Sequence, residues 1–283
     1  MAARAERHAR QKKLGVVKTK WELSPRAPEV PKWDDMPNKE WHVRRMAVYA
    51  AQIDRLDQGI GRVLAKIREL GQEENTLVMF LADNGGCHEE KIRGEKQTPP
   101  GPADSFTSYG RPWANASNTP FRMYKHWVHE GGISTPLIAH WPKGIGKPGR
   151  ISHEPGHLID ILPTCLDVAG ASALKERQGV PVLPPEGRSL VPAFANQPIS
   201  REALYWEHEG NAAVRVGDLK LVRAGRNGPW ELYDLKQDRT ELQNLADAQP
   251  EKVKALAALW EAWAVRAQVK PYPEAAAKKA KAK

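Results

Sequence analysis

Thr76-Leu77-Val78-Met79-Phe80-Leu81-Ala82-Asp83-Asn84-Gly85-Gly86 is the stretch on which the fold turns. Its first seven residues are an apolar run too short for a helix and bounded by Asn75 and Asp83, the pattern of a strand buried on both faces, as in a parallel sheet. Upstream, Met46, Tyr49, Ile53, Leu56, Ile60, Val63, Leu64, Ile67 and Leu70 recur at spacings of three and four. That period predicts one long helix over 40–70, ended by Gly71. A helix leading into a buried strand is half of a βαβ unit, so the fold class reads as α/β.

Downstream, 136–141 predicts a second buried strand and 151–169 a helix closed by Gly170, with a Pro-rich connection over 171–200. The character then changes. Short strands at 204–206, 212–216, 219–222 and 230–233 carry a hairpin around Gly217-Asp218. An amphipathic segment at 250–267 places Val253, Leu256, Leu259, Trp260 and Trp263 on one stripe. This divides the chain into a basic, Pro-rich connecting segment (1–39), an α/β part (40–200), a small antiparallel sheet with a covering helix (201–270), and a disordered Lys/Ala-rich tail (271–283). Residues 85–120 read as a long polar loop, of the kind that often carries function.

The chain has 283 residues, 41% hydrophobic and 27% charged, which suits a packed core and excludes global disorder. No apolar run approaches the roughly 20 residues needed to cross a bilayer, and Met1–Lys13 leads into no apolar stretch of the signal-peptide kind. The net charge of +9 sits at the ends: residues 1–20 hold seven Lys/Arg against Glu6, and Lys278, Lys279, Lys281 and Lys283 close the chain. Taking both ends away leaves −1 for 21–277, so the basicity reads as solvated termini and not as a nucleic-acid surface. Cys87 and Cys165 have no metal-type spacing and read as idle thiols.

Four constellations carry possible chemistry. Asp83-Asn84-Gly85-Gly86 follows a buried strand, where open α/β sheets bind ligands. It pairs two hard oxygen donors suited to Ca²⁺ or Mg²⁺, yet Asp-Asn-Gly is equally turn chemistry, and the residues alone leave both readings open. Lys125, at the head of Lys125-His126-Trp127-Val128-His129-Glu130-Gly131-Gly132, could bind a sulfate or phosphate group. His153-Glu154-Pro155-Gly156-His157 spells the zinc-protease string, but Pro155 and Gly156 break the helix on which that motif works. His208 and Asn211 stand on a loop between predicted strands, within reach of a substrate or as a plain polar turn.

Taken together, the motifs resemble the sulfatase family. They are Tyr49 to Asp57 with Gly61-Arg62-Val63-Leu64, Asn75-Thr76-Leu77-Val78 and Asp83-Asn84-Gly85-Gly86, then Lys125 followed by Glu130-Gly131-Gly132-Ile133-Ser134-Thr135-Pro136. Asp160-Ile161-Leu162-Pro163-Thr164, Ala169-Gly170 and Trp230-Glu231-Leu232-Tyr233-Asp234 with Asp238, Glu241, Leu242 and Leu245 continue the match in order. The resemblance implies the C-terminal portion of an alkaline-phosphatase-like α/β sandwich that hydrolyses sulfate esters, small molecule or glycan. By the same resemblance, Asp83 and Asn84 bind Ca²⁺ (Mg²⁺ being the other candidate), Lys125 contacts the sulfate, and the location is periplasmic, secreted or lysosomal. His208 is kept as a substrate-binding candidate.

Several family features have no counterpart in these residues. The sulfatase nucleophile is a formylglycine made from Cys or Ser in a Cys/Ser-x-Pro-x-Arg string, which neither Cys87, Cys165 nor any serine fits. Two further aspartate ligands and a histidine of the family also have no counterpart. The chain is therefore expected to be inactive alone. The alternatives are a non-catalytic remnant or binding module completed by a partner that supplies the other half, and a basic nucleic-acid-binding α/β protein.

Overall fold

The computed structural model describes residues 2–93 and 99–271. All of the predicted tail except Pro271 lies outside the described residues.

The chain opens with α1 (Ala2–Lys13), which is no loose basic arm. Arg4 is buried, its guanidinium donating to the Ser24 carbonyl at 2.9 Å and to Ser24 Oγ at 2.8 Å. After the Pro-rich connection comes α2 (Lys39–Glu69), with Glu40 in its first turn and Lys66 and Arg68 in its last, matching the helix dipole. Its first turns pack: Arg45 is buried under the Trp41 ring, and Tyr49 stacks on Tyr109 at 4.6 Å. Its later apolar stripe is uncovered, with Ile53, Leu56 and Val63 all exposed. On the exposed face Asp54 accepts a bond from Gln58.

The apolar run forms β1 (Val78–Leu81). The predicted loop that follows contains β2 (Ile92–Arg93), β3 (Phe106–Thr107) and α3 (Gly110–Ser117). The helix escapes the sequence reading because Pro112 lies in it, yet a first-turn proline lacks only an N–H that has no partner there. Next come α4 (Glu130–Ile133) and β4 (Leu137–His140). β1 and β4 pair antiparallel, Phe80 facing Ile138 and Leu81 facing Leu137. This corrects the expectation of a parallel strand buried on both faces. One side packs through Ala139 on Leu190 and Phe194, while Phe80 is 45% and Ile138 61% exposed.

The predicted helix over 151–169 is shorter. Residues 151–157 are irregular, and α5 (Ile161–Val168) begins after a 3-10 turn at Leu158–Asp160 capped by His157. His153 and His157 are therefore not on one helical face. A small pair, β5 (Glu176–Arg177) and β6 (Val180–Pro181), and α6 (Val191–Phe194) complete the middle of the chain.

The last part is a four-stranded antiparallel sheet in the order β10-β9-β8-β7, formed by β7 (Leu204–His208), β8 (Asn211–Val216), β9 (Leu219–Arg223) and β10 (Glu231–Asp234). The hairpin at Gly217-Asp218 is present, with Val216 opposite Leu219 and Gly217 at φ 57°. Helix α7 (Pro250–Arg266) covers one face, where Leu256 and Trp260 pack on Ala212, Val214, Leu221 and Leu232. The opposite face does not look to solvent. Ala213, Val222 and Tyr233 close on Val128, with Ile133 packed against them. The small sheet is thus the floor on which the Lys125 segment rests.

Candidate active site

Two loops meet at one edge of the β1–β4 pair. The first, Asp83 to Gly86, leaves β1; the second, Lys125 to Gly132, leads toward β4. They are tied backbone to backbone: the Gly85 N–H donates to the Gly132 carbonyl at 2.9 Å and the Lys125 N–H to the Gly86 carbonyl at 3.0 Å. Asn118 adds a side-chain strut, its Oδ1 accepting from the Gly86 N–H at 2.9 Å. The crossing leaves no room for side chains. A Cβ on Gly85 would lie 1.8 Å from the Gly131 carbonyl oxygen, which is why the sequence places glycines at this crossing.

Each loop presents a charged side chain that forms no close ion pair among the described residues. Asp83 is exposed, and among the described residues it makes no hydrogen bond or ion pair. The Asn84 amide nitrogen donates to the Gly85 carbonyl at 2.8 Å, and Asn84 Oδ1 is left as a free acceptor. The half-buried Lys125 ammonium likewise has no hydrogen-bonded partner among the described residues. Glu89 is held below the usual carboxylate range chiefly by hydrogen bonds from Lys91 and Cys87, with Lys125 contributing least.

The Lys125 loop is anchored from below by a buried charge network whose acidic members Glu130, Glu231 and Glu241 lie in the motifs, while its basic members Lys220, Arg239 and Arg122 carried no sequence signal. Lys220 is fully buried, with Nζ 2.7 Å from Glu130 Oε1 and 2.8 Å from Glu241 Oε1. Glu241 Oε2 accepts the Glu130 N–H at 2.9 Å, and Arg239 pairs with the other Glu130 oxygen. Beside it, Arg122 donates to Glu231 at 3.2 Å and to the Tyr233 hydroxyl at 3.0 Å. Burial pushes the Glu231 carboxyl up, but hydrogen bonds from His129 and Tyr233 and the positive potential of His129 and Arg122 outweigh it and hold the group at about 2. Lys220 alternates with Leu219 and Leu221 like a solvent-facing strand residue, so its burial is invisible without the segment that covers it.

The other sequence candidates separate. His129 is buried against Glu231, while His126 turns the other way, its Nδ1 2.9 Å from Glu209 Oε2. His208 stands exposed at the end of β7 with its ring 5.6 Å from His126, so it does sit beside the residue that follows Lys125. Asn211 is buried and holds backbone carbonyls in place of reaching outward. Asn115-Ala116-Ser117 spells a glycosylation triplet that the candidates above did not include; Asn115 is buried with Oδ1 3.4 Å from the Ala27 N–H, closed to modification. Cys87 and Cys165 are both free.

Residues 8–171 match the Sulfatase family profile, more than half of the chain. The chain belongs to the sulfatase family. Residues 121–265 also match the profile described as N-sulphoglucosamine sulphohydrolase, C-terminal, a span running from the Lys125 loop through the small sheet to α7. Among relatives, an uncharacterized sulfatase of Schizosaccharomyces pombe is 36% identical over 81% of this chain and 45% of its own length. An arylsulfatase of Klebsiella aerogenes is 33% identical over 65% of this chain and 42% of its own. The solved structure of Ps i-CgsB superposes with a TM-score of 0.59 at 24% identity, covering 84% of this chain and 48% of that one, which supports the alkaline-phosphatase-like fold. The chain thus spans under half the length of the curated relatives it matches.

Sulfatases generally use a divalent metal. An unpaired carboxylate beside a free amide oxygen is the donor chemistry a hard cation takes. Two side-chain donors fall short of the roughly six to eight oxygens such an ion gathers. Among the described residues Asp83 belongs to no cluster of three ligating side chains. The loop fits as part of a coordination shell. No described helix is long and apolar enough to cross a membrane.

Proposed function

We propose that this sulfatase-family chain forms the metal-and-lysine side of a site for sulfate-ester hydrolysis, acting on a small molecule or glycan. One observation carries the reading. Two loops laced by backbone hydrogen bonds each present a charged group that makes no side-chain hydrogen bond or close ion pair among the described residues, one anionic and one cationic, with Glu89 acting on Lys125 only at a distance. Asp83 and Asn84 would hold Ca²⁺, with Mg²⁺ as the second candidate, since both residues offer hard oxygen donors. Such an ion supplies Lewis-acid stabilisation of charge on the sulfate oxygens when bound. Lys125 binds a sulfate oxygen through a charge-assisted hydrogen bond. His208, at the rim, is the candidate for contact with the rest of the substrate.

No Cys/Ser-x-Pro-x-Arg string occurs in these 283 residues, so the covalent step has no nucleophile here. The chain alone is therefore proposed to bind without turnover, a partner half supplying the nucleophile. The near-neutral net charge of 21–277 favours this reading over a nucleic-acid-binding one.

Calorimetric titration tests this. Ca²⁺ binding is expected in the parent chain and to be lost in Asp83→Asn. Sulfate binding should weaken by about 10-fold or more in Lys125→Ala, the worth of a hydrogen bond to a charged group. Aryl sulfate turnover should stay at background. Unchanged sulfate binding in Lys125→Ala would sink the site, and robust turnover abolished by that substitution would sink the claim of inactivity.

A further inference from the structure

His126, His208 and Glu209 form a second cluster, apart from the Asp83 oxygens and different in chemistry. Their ligating atoms all lie within 4.8 Å of one another, the one such group of three among the described residues. We propose that this cluster is a binding site for a divalent transition metal of the zinc class, joining the β7–β8 turn to the residue that follows Lys125.

The donor set decides the class. Two imidazoles and one carboxylate suit zinc and its neighbours, whereas Ca²⁺ and Mg²⁺ prefer all-oxygen shells. A tetrahedral zinc ion with ligands about 2.0–2.1 Å away needs its donors a little over 3 Å apart. His126 Nδ1 and Glu209 Oε2 are already 2.9 Å apart, and one donor atom of each of the three residues lies within 4.8 Å of the other two. His208 and Glu209 are exposed, which leaves a fourth position for water or an anionic oxygen. With neutral imidazoles and one carboxylate, the loaded site carries a charge of +1.

The backbone adds an independent observation. His126 has φ 94° and Glu209 φ 50°, both in the left-handed region that favours glycine. Glu209 and Gly210 (φ 85°) are the two central residues of the turn closed by the His208–Asn211 pair, a position for Asn-Gly in an ordinary hairpin. Strained backbone of this kind gathers at functional sites. Here the two strained residues are the two in contact. The buried Asn211 then fixes both histidines from behind. Its Nδ2 donates to the His126 carbonyl at 3.1 Å and the His208 carbonyl at 2.8 Å, while its Oδ1 accepts the Gly225 N–H at 2.9 Å. The same Nδ2 lies 3.4 Å from His126 Nε2, the kind of outer contact that orients a ligating ring, leaving Nδ1 toward Glu209.

The test uses metal-stripped full chain titrated with ZnCl₂ and, for a visible spectrum, CoCl₂. One ion per chain is expected, with the cobalt bands of a tetrahedral site. Affinity should fall by about 10-fold or more in His208→Ala and in Glu209→Gly. The glycine variant also guards against misfolding, because it relieves the φ of 50° and should melt at or above the parent temperature while losing the metal. Zinc binding that is absent, untouched by both substitutions, or lost in Asp83→Asn instead would overturn the proposal.

Discussion

At the scale of single residues, Gly85 decides more than the acidic residue beside it. Asp83 and Asn84 can face one ligand together with Lys125 only if two backbones cross closely, and Gly85 makes that crossing possible. All three atoms nearest to an added Cβ belong to backbone, at 1.8, 2.9 and 3.2 Å, so no side chain can rotate away to make room. Gly85→Ala should therefore destabilise the chain by about 3 kcal/mol, the upper end of ordinary overpacking. It should also weaken Ca²⁺ binding although no ligand is changed. Urea denaturation and calorimetry on the same variant check both effects. The glycines were legible in the sequence as a tight bend; that their function is a crossing with Gly131 and Gly132 was not, because those partners lie more than forty positions away.

At the scale of elements, the packing of the Lys125 segment on the small sheet governs how rigidly the lysine is held. Val128 supplies apolar contact, Asn211 a neutral hydrogen bond to His126, and the rest is ionic. Glu231 on β10 reaches His129 and Arg122, and Glu130 at the start of α4 reaches Lys220 on β9. Glu231 sits at about 2 in the folded chain against an ordinary 4.5, so its ionised form is favoured by folding. Its contribution is present above pH 4.5 and is lost as the pH falls from there toward 2. Thermal melts across that interval should show a steep loss of stability that is shallower in Glu231→Gln, and parallel profiles for parent and variant would contradict the assignment. The sequence located β8, β9, β10 and α7 to within a residue or two, because their alternation and periodicity are local signals. It missed α3 and over-extended the helix ending at Val168, since Pro112, Pro155 and Gly156 act through their exact place in a turn.

At the scale of the whole molecule, the apolar surface is left unfinished. Val63 on α2 is 60% exposed, and Phe80 and Ile138, paired across β1 and β4, are 45% and 61% exposed. Exposed apolar side chains on a short two-stranded edge favour association. Light scattering of the purified chain should show an apparent mass that rises with concentration, reduced by the combined Val63→Glu and Ile138→Thr substitutions; a monomer at every concentration would refute this. By itself, the sequence determined the α/β class, the family, the small antiparallel sheet with its helix, and the residues Asp83, Asn84 and Lys125 as candidates. These rest on period, turn chemistry and ordered motifs, which are all short-range. Only the tertiary structure decided that β1 pairs antiparallel with β4, that Lys220 and Glu130 are buried together, and that His126 parts from His129 to join His208 and Glu209. Strand partner, burial of a charge and convergence of ligands depend on what packs across from a residue, and no local pattern records that.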